Sequence, residues 1–438
     1  MTTFDEGLLS PVAVGHDVLV TDAAVLDALV RAEHALITAY LDVGLLPAEV
    51  HAEITRAWGG GRDAAAIDAA SLITASVADG NPVIPLVAQL ADRVPEGLRP
   101  WVHRGATSQD IVDTALMIVA LAAVERLRDS LVQTVDGLHR LEDRHGRDVV
   151  VARTLTQHAV PTTLGARLDG WRQGIDRAIT RTTSLAFPAQ LAGAAGTRAS
   201  FVEITGSADA AQALVAAYAR HAGLEVPSGS WQVARWPITE LGDALVQTVD
   251  ALGKLASDVT TLSRTEIGEL HEGAGGGSSA MPQKQNPVES TLIRSAALRA
   301  PQLGATLHLA AALAGDERPD GAWHAEWPTL RELLRLALGA SAHAASLVAG
   351  LRVDAEAATR NLELTRGLVI SERLALVLVP LIGRSRFDDL IASVADGAQL
   401  GDLVRAVPEA AGLDVDALLD PAGYTGVRGM PGAGEHAG

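Results

Sequence analysis

Residues 238–270 read ITELGDALVQTVDALGKLASDVTTLSRTEIGEL. Their apolar residues recur at steps of three and four with one position missed, which is the spacing of one buried helical face. This face consists of Ile238, Leu241, Leu245, Leu252, Leu255, Val259 and Leu262. As a single helix the stretch would be roughly 50 Å long, at about 1.5 Å per residue. A helix of that length buries its apolar face in an elongated bundle, so the stretch predicts an all-α bundle fold.

The same spacing recurs along most of the chain. It predicts further helices at residues 22–41, 110–145, 167–185, 208–222, 288–314 and 329–353. Extended segments are scarce, and only residues 149–151 and 160–163 favour short strands. Breaks rich in proline or glycine fall at 95–100, 188–196, 227–237 and 273–277, and the glycine-rich tail at 424–438 is expected to fray.

The composition excludes several classes of protein. The 438 residues carry 35 Lys+Arg against 53 Asp+Glu, a formal net charge of −18, and no cysteine. Without cysteine there is no disulfide scaffold, thiolate metal site or cysteine nucleophile. The acidic balance argues against nucleic acid as a partner. The first residues carry acids and no basic residue, and no apolar run is long enough to span a bilayer, so we expect a soluble cytoplasmic protein without a membrane partner.

Lysine is rare in this chain, since only Lys254 and Lys284 are lysines among the 35 basic residues. A site that keeps lysine in such a chain is expected to need a compact ammonium rather than a planar guanidinium. Lys284 lies in residues 273–287, GAGGGSSAMPQKQNP, here called the signature loop. This loop follows a helix rather than a strand, so it is neither a phosphate-binding loop nor a dinucleotide fingerprint. A flexible linker is the alternative interpretation of this loop. Lys284, which lies between Pro282 and Pro287, favours a functional site instead.

Three more polar segments stand out. In residues 103–113, HRGATSQDIVD, Gly105 favours a turn, and residues 107–110 are of the types found in the first turn of a helix. This pattern predicts either a helix cap or an anion site. Residues 153–163, RTLTQHAVPTT, surround His158 with polar side chains in an otherwise apolar protein. Residues 321–327, GAWHAEW, favour core packing at a helix start. HExxH, Asp-rich and GxSxG motifs are absent from the sequence, so it predicts no metal site and no serine hydrolase.

The segment GSSAMPQKQNP at 277–287 resembles the signature of the fumarase/aspartase superfamily. HRGATSQD and RTLTQHAVPTT resemble that superfamily's two other active-site regions, in the right order. Within it, the chain is most similar to the 3-carboxy-cis,cis-muconate cycloisomerases, on the segments HRGATSQDIVDT, TQHAVPTTLG, AGAAGT, GAWHAEW, VISERLA and LLDPAGYTG. The resemblance implies an all-helical homotetramer with a shared central bundle and active sites built from three subunits. The domains are then expected at 1–103, 104–350 and 351–438.

The resemblance also implies a chemistry. A base removes a proton beside a carboxylate, and the doubly charged aci-carboxylate expels a group from the neighbouring carbon. Ser278 is the implied base, with Ser279 as its substitute, and His158 is the general acid or a carboxylate partner. The expected substrate-binding residues are Arg104, Thr107, Ser108, Gln109, Arg153, Gln157, Ser279, Lys284 and Asn286, with Arg235 as a further candidate. The substrate is expected to be a small anionic polycarboxylate, and neither a cofactor nor a metal is expected.

The chain departs from the family pattern at several positions. Leu155 stands where many superfamily members carry histidine, Gln285 where they carry arginine, and Pro319 and Asp320 where they carry small residues. The first departure argues against a plain fumarase, argininosuccinate lyase or adenylosuccinate lyase. We expect a lactonising cycloisomerase of aromatic catabolism. The alternatives are a C–N lyase of a substituted succinate such as nitrosuccinate, and an inactive structural relative, against which the intact signature loop argues.

Overall fold

The protein is described by a computed structural model that covers residues 7–60, 64, 67–273, 276–277, 281 and 284–427. Helices hold 68% of the chain and strands 5%, which confirms the mostly helical class. The helices are α1 (Asp22–Asp42), α2 (Ala48–Ala57), α3 (Ala69–Asp79), α4 (Val83–Asp92), α5 (Ser108–His145), α6 (Leu164–Thr183), α7 (Ala199–Thr205), α8 (Ala208–Ala222), α9 (Trp236–Leu262), α10 (Val288–Ala312), α11 (Gly321–Gly350), α12 (Ala355–Glu363), α13 (Ser371–Ile382), α14 (Arg384–Ala395), α15 (Leu400–Arg405) and α16 (Val415–Leu419).

Short strands pair two by two. They are β1 (Val149–Thr154), β2 (Gln157–Thr163), β3 (Leu270–His271), β4 (Gly276–Gly277), β5 (Gln285–Asn286) and β6 (Arg352–Val353). β1 pairs with β2, β3 with β6 and β4 with β5, each pair antiparallel. Short 3-10 helices lie at Val18–Val20, Glu96–Trp101, Leu368–Ile370, Pro408–Ala410 and Pro421–Tyr424. The tail expected to fray lies outside the described residues from position 428 onwards.

The predicted seam of α9 is confirmed, because all seven of its residues are buried. The helix itself is shorter than predicted. It ends at Leu262, so it is about 40 Å long rather than about 50 Å. Beyond Leu262 the apolar spacing stops, and Gly268 adopts a φ of 64°, which a helix does not accommodate. The chain turns there and continues as β3.

The chain divides into two compact units, each assembled from three stretches. The first unit holds Met1–Leu131, Ala178–Asp250 and Ser295–Ala342, and the second holds Val132–Arg177, Ala251–Arg294 and His343–Gly438. The three-domain division and the tetramer stay predictions.

In the first unit, α1 packs against α8. Leu36 and Tyr40 of α1 and Leu214 of α8 are completely buried, and burying such a side chain contributes about 2 kcal/mol. The Tyr40 hydroxyl donates a hydrogen bond of 2.8 Å to the carbonyl oxygen of Arg104. The packing of α1 therefore holds the segment that leads into α5.

In the second unit, β1 and β2 form a hairpin in which Thr154 pairs with Gln157. The turn residues Leu155 and Thr156 both have positive φ, 48° and 71°, as a two-residue type I′ turn requires. Val151 at the hairpin's base is completely buried in an apolar cluster with residues of α13, α14 and α15. The hairpin therefore extends from the core of the second unit, and its tip is exposed.

Among the described helices, α11 is the one long and apolar enough to cross a membrane by length and composition. Within its apolar window, 67% of the residues are buried inside the protein, as in the core helix of a soluble protein.

Candidate active site

The loop before α5 is shaped by Gly105, whose φ is 75°. A Cβ atom at this position would lie 2.8 Å from the Cδ1 atom of Ile204 and 3.1 Å from the ring of Phe201, so only glycine fits. The turn brings Thr107 and Ser108 to the first residues of α5, where each is 8% exposed. Their hydroxyls lie at the positive end of a 38-residue helix, an environment that favours an anion.

Asp110 ties this loop to the segment AGAAGT at 192–197. Its carboxylate accepts the N–H groups of Thr107 (3.0 Å), Ala192 (2.8 Å) and Gly193 (3.0 Å). Burial raises the pKa of Asp110 to about 7, although the three N–H donors oppose that shift. Gln109 is completely buried and donates its amide to the carbonyl of Gln232 at 2.9 Å. Two of the resemblance-derived segments therefore meet in the first unit.

Three arginines lie in or close to this loop. The guanidinium of Arg104 stacks on Trp101, 4.3 Å from the ring centroid. Arg318 donates a 2.9 Å hydrogen bond to the Thr107 hydroxyl. Burial lowers the pKa of Arg198, and the nearby Asp110 carboxylate opposes that shift. Arg104 is predicted from the sequence, but Arg198 and Arg318 are not, because they lie about 90 and 210 positions from the loop in sequence.

Arg235, a further substrate-binding candidate, has a structural role instead. It is 2% exposed, and its guanidinium makes ion pairs of 2.7 Å with Asp113 and 2.6 Å with Glu326. Its remaining donor contacts the carbonyl of Trp231 at 3.2 Å. The indole of Trp323 also donates to Asp113, at 3.0 Å. All five N–H donors of Arg235 are occupied. In the segment GAWHAEW, Trp323 and Glu326 are buried whereas His324 is exposed, so the favoured core packing holds for part of the segment.

In the second unit, Arg153 is held by a buried carboxylate. Its guanidinium binds Glu269 through two hydrogen bonds of 2.5 and 3.2 Å. Arg167 lies 3.5 Å from the same carboxylate, and Asn361 donates to it at 2.8 Å. Glu269 is 2% exposed, and a charge so deeply buried requires partners of this kind. Glu269 is not predicted from the sequence. Together with Arg153, Arg167 and Asn361 it forms a cluster that we call the Glu269 network.

Beside this network lies a cavity of about 730 Å³. It is lined by β1, β2, α6 and the end of α9, and includes Arg153, His158, Arg167 and Lys254. Lys254 is paired with Asp258 at 2.6 Å, and Arg153 and Arg167 share one carboxylate. The wall therefore carries excess positive charge, which suits an anionic ligand.

His158 lies opposite Arg153 in the hairpin. Burial lowers the pKa of His158 below its ordinary 6.5, and the Arg153 guanidinium lowers it further. The imidazole is therefore neutral at neutral pH and donates or accepts a hydrogen bond rather than carrying a charge. Gln157, the first residue of β2, is exposed at the tip of the hairpin.

The signature loop is anchored at its base. The Glu272 carboxylate accepts the N–H groups of Glu289 (3.0 Å) and Ser290 (2.9 Å) at the start of α10. Gly273 passes so close to Gly350 that a Cβ atom would lie 2.6 Å from the Gly350 carbonyl oxygen. Both ends of the loop are thereby fixed.

Within the signature loop, β4 pairs with β5, with Gly276 opposite Asn286. Lys284 is exposed, and its backbone N–H donates to the carbonyl of Met281 at 3.0 Å. Ser278 and Ser279 lie outside the described residues.

The candidate residues thus form one cluster in the first unit and two segments in the second. Arg104, Thr107, Ser108 and Gln109 belong to the first unit, and Arg153, Gln157, His158, Lys284 and Asn286 belong to the second. Over the part of the chain that the structure describes, no three His, Asp or Glu side chains are grouped to hold a metal ion. The expectation that the reaction needs no metal or cofactor stays a prediction.

Comparison with known proteins supplies the family. A family model described as lyase matches residues 22–301. Nitrosuccinate lyase of Streptomyces davaonensis is 44% identical over 443 residues, covering 96% of this chain and 92% of that protein. The 3-carboxy-cis,cis-muconate cycloisomerase of Pseudomonas aeruginosa is 37% identical over 424 residues, covering 93% and 90%.

A solved structure agrees with these matches. The 3-carboxy-cis,cis-muconate lactonizing enzyme of Pseudomonas putida has a TM-score of 0.84 to this chain at 33% identity, covering 93% of this chain and 92% of that one. These matches extend over nearly the whole chain, including the three segments that carry the resemblance. The chain therefore belongs to the fumarase/aspartase superfamily and is an enzyme of that superfamily.

Proposed function

We propose that this enzyme is a C–N lyase that eliminates nitrite from nitrosuccinate and releases fumarate. The observation that carries the proposal is the 44% identity to nitrosuccinate lyase over 96% of the chain. The cycloisomerases are 32–37% identical over a similar or shorter span. This difference reverses the order expected from the sequence, which put the cycloisomerase first.

In the proposed reaction, the Ser278 alkoxide removes a proton from the carbon next to one carboxylate. The electron pair moves into that carboxylate and gives an aci-carboxylate, which the Lys284 ammonium and the Asn286 amide stabilise. The aci-carboxylate then collapses to form the carbon–carbon double bond, and nitrite leaves with the electrons of the C–N bond. Thr107 and Ser108 bind a carboxylate at the start of α5. These segments come together in the proposed homotetramer.

The leaving group explains the residue at position 155. Nitrite is a weak base, so it departs without a proton from the enzyme, whereas hydroxide or an amine needs a general acid. Leu155 cannot donate a proton, and its side chain is 96% exposed at the tip of the hairpin. The neutral His158 imidazole then serves as a hydrogen-bond partner for the substrate rather than as an essential acid.

Lactonisation of 3-carboxy-cis,cis-muconate is the second candidate function. It is favoured by the identity of 37% to a cycloisomerase and by the TM-score of 0.84 to a lactonizing enzyme. In that reaction, a carboxylate of the substrate adds across a double bond. Ser278 would transfer the proton, and Lys284 and Asn286 would stabilise the aci-carboxylate. In either case we propose a soluble cytoplasmic enzyme with a small polycarboxylate substrate.

Incubation with each substrate separates the two functions. Purified enzyme is given nitrosuccinate, and nitrite is measured by diazo coupling and fumarate by its ultraviolet absorbance. In parallel, loss of diene absorbance is followed with 3-carboxymuconate. Nitrite and fumarate in equal amounts support the lyase. Loss of the diene without nitrite release overturns it in favour of the cycloisomerase.

Variants of the two serines test the proposed base. Ser278→Ala is expected to lower kcat by about 10³-fold, while Ser279→Ala serves as the matched control. The opposite result would make Ser279 the base. Full activity after exhaustive chelation would support the expectation that no metal is needed.

A further inference from the structure

Arg318 is an exposed residue in the segment that joins α10 to α11, 211 positions from Thr107 in sequence. Its guanidinium donates a hydrogen bond of 2.9 Å to the Thr107 hydroxyl, across 211 positions of sequence. The same guanidinium lies 5.6 Å from the ring centroid of Trp323. The hydrogen bond to Thr107 therefore places this cation at the start of α5, with the Trp323 ring beside it.

The charge of Arg318 is not neutralised by its neighbours. Asp316, Glu317 and Asp320 flank it in sequence. Yet within the described part of the chain, no carboxylate oxygen makes an ion pair with Arg318, although many other arginines are paired. In a chain of net charge −18, such an arginine bound to a hydroxyl keeps its charge available for an anion.

Arg153 provides the contrast. It was expected to bind a substrate carboxylate, but it is bound to the buried Glu269 through both terminal nitrogens. A guanidinium that already shares a buried carboxylate with a second arginine contributes less to an added anion than one without an ion pair. The charge available to a substrate therefore lies at Arg318 more than at Arg153.

Trp323, against which Arg318 lies, is buried and hydrogen-bonded. The Trp323 indole donates to Asp113, and Asp113 is ion-paired with the buried Arg235. The Thr107 hydroxyl accepts from Arg318 and keeps its own proton to donate. An anion in front of this pair would receive hydrogen bonds from both side chains.

We propose that Arg318 is a substrate-binding residue that, together with Thr107, binds one carboxylate of a dicarboxylate substrate. The inference rests on the proposed function only in taking the start of α5 as part of the substrate site. It adds a residue from a loop where this chain departs from the family pattern, at Pro319 and Asp320. Arg318 thereby selects substrates that carry a second carboxylate.

The test uses Arg318→Met, which keeps the apolar stem, and Arg318→Lys, which keeps the charge but loses the planar fork. Arg56→Met, at an exposed position of α2, is the matched control. Fumarate and its monoamide are titrated into each variant by calorimetry. We expect Arg318→Met to weaken fumarate binding about 10- to 100-fold, Arg318→Lys to weaken it less, and Arg56→Met to leave it unchanged. The monoamide lacks one carboxylate, so its weaker binding should respond to Arg318→Met far less than that of fumarate.

Kinetics give the second readout. With the active substrate, KM should rise about as much as the fumarate dissociation constant while kcat changes little, because a carboxylate held throughout the reaction is bound equally in ground and transition states. A purely structural role would instead lower the melting temperature and change the binding of both ligands alike.

The outcomes separate this inference from the proposed function. If the wild type releases nitrite but Arg318→Met binds fumarate as tightly as the wild type, the role of Arg318 is wrong and the lyase stands. If the wild type releases no nitrite but turns over 3-carboxymuconate, the lyase is wrong. The KM of Arg318→Met for that tricarboxylate then tests the inference. An unchanged KM would refute the substrate-binding role of Arg318.

Discussion

The Glu269 network offers the sharpest test of how the second unit holds its candidate residues. Glu269→Gln keeps the size of the side chain and removes its charge, leaving Arg153 and Arg167 facing each other without a counterion. Removing one partner of a buried ion pair costs about 3–5 kcal/mol. The side chains of Arg153 and Arg167 are 14% and 15% exposed, so water reaches both, and we expect the lower end, about 3 kcal/mol.

Native-state hydrogen exchange is the suitable assay because the loss falls on one segment. A local destabilisation of about 3 kcal/mol raises the opening of the β1–β2 hairpin roughly 100-fold, and the exchange of its amides with it. Glu266→Gln is the matched control, since Glu266 is exposed in the same segment. If the amide exchange rates of the hairpin stay within a few-fold of the wild-type rates, the reasoning is refuted. The Glu269 network would then stabilise the hairpin no more than exposed ion pairs do.

The same variant should change the pH dependence of catalysis. Glu269 raises the pKa of His158, while burial and Arg153 lower it. Without the carboxylate, the pKa of His158 falls further, so any activity limb that depends on its protonation moves to lower pH. An unmoved limb would show that His158 does not titrate in the rate-determining step.

Three more outcomes follow from the geometry. Gly105→Ala should cost about 1–3 kcal/mol, because its φ of 75° and the crowded Cβ position both oppose a side chain, and calorimetric melting together with KM checks it. Arg235→Met should destabilise the protein by about 3–5 kcal/mol at about pH 8. Burial raises the pKa of Glu326, so this carboxyl takes up a proton as the pH falls and its repulsion with Asp113 is relieved. Melting at about pH 5 should therefore show a smaller deficit, and an equal or larger one would contradict this. His158→Gln should remove an acid limb of nitrite release that lies below pH 6.5 in the wild type, and persistence of that limb would assign it to another group.

The helices were predictable because their signal is local. The α9 seam needs only the order of its own residues, and the breaks at 95–100 and 188–196 fall between α-helices. The end of α9 was missed because Gly268 acts through its backbone conformation, which periodicity does not report.

The partners of the charged residues were not predictable. Arg153 meets Glu269 across 116 positions, Arg235 meets Asp113 across 122 and Arg318 meets Thr107 across 211. Sequence alone identifies Arg153 and Arg235 as cations near active-site motifs, but the structure shows that buried carboxylates bind both. Arg318 carries no local signal, because its flanking acids suggest an ordinary solvated loop.

The exposed tip of the β1–β2 hairpin bears on how enzymes of this superfamily diversify. Leu155 contacts almost nothing within its own chain, being 96% exposed, while the hairpin is anchored far from the tip, at Val151 and the Glu269 network. Exchange of the side chain at position 155 therefore leaves the folding free energy nearly unchanged. Under the proposed mechanism, single substitutions at position 155 would therefore add or remove a proton donor for the leaving group while keeping one scaffold.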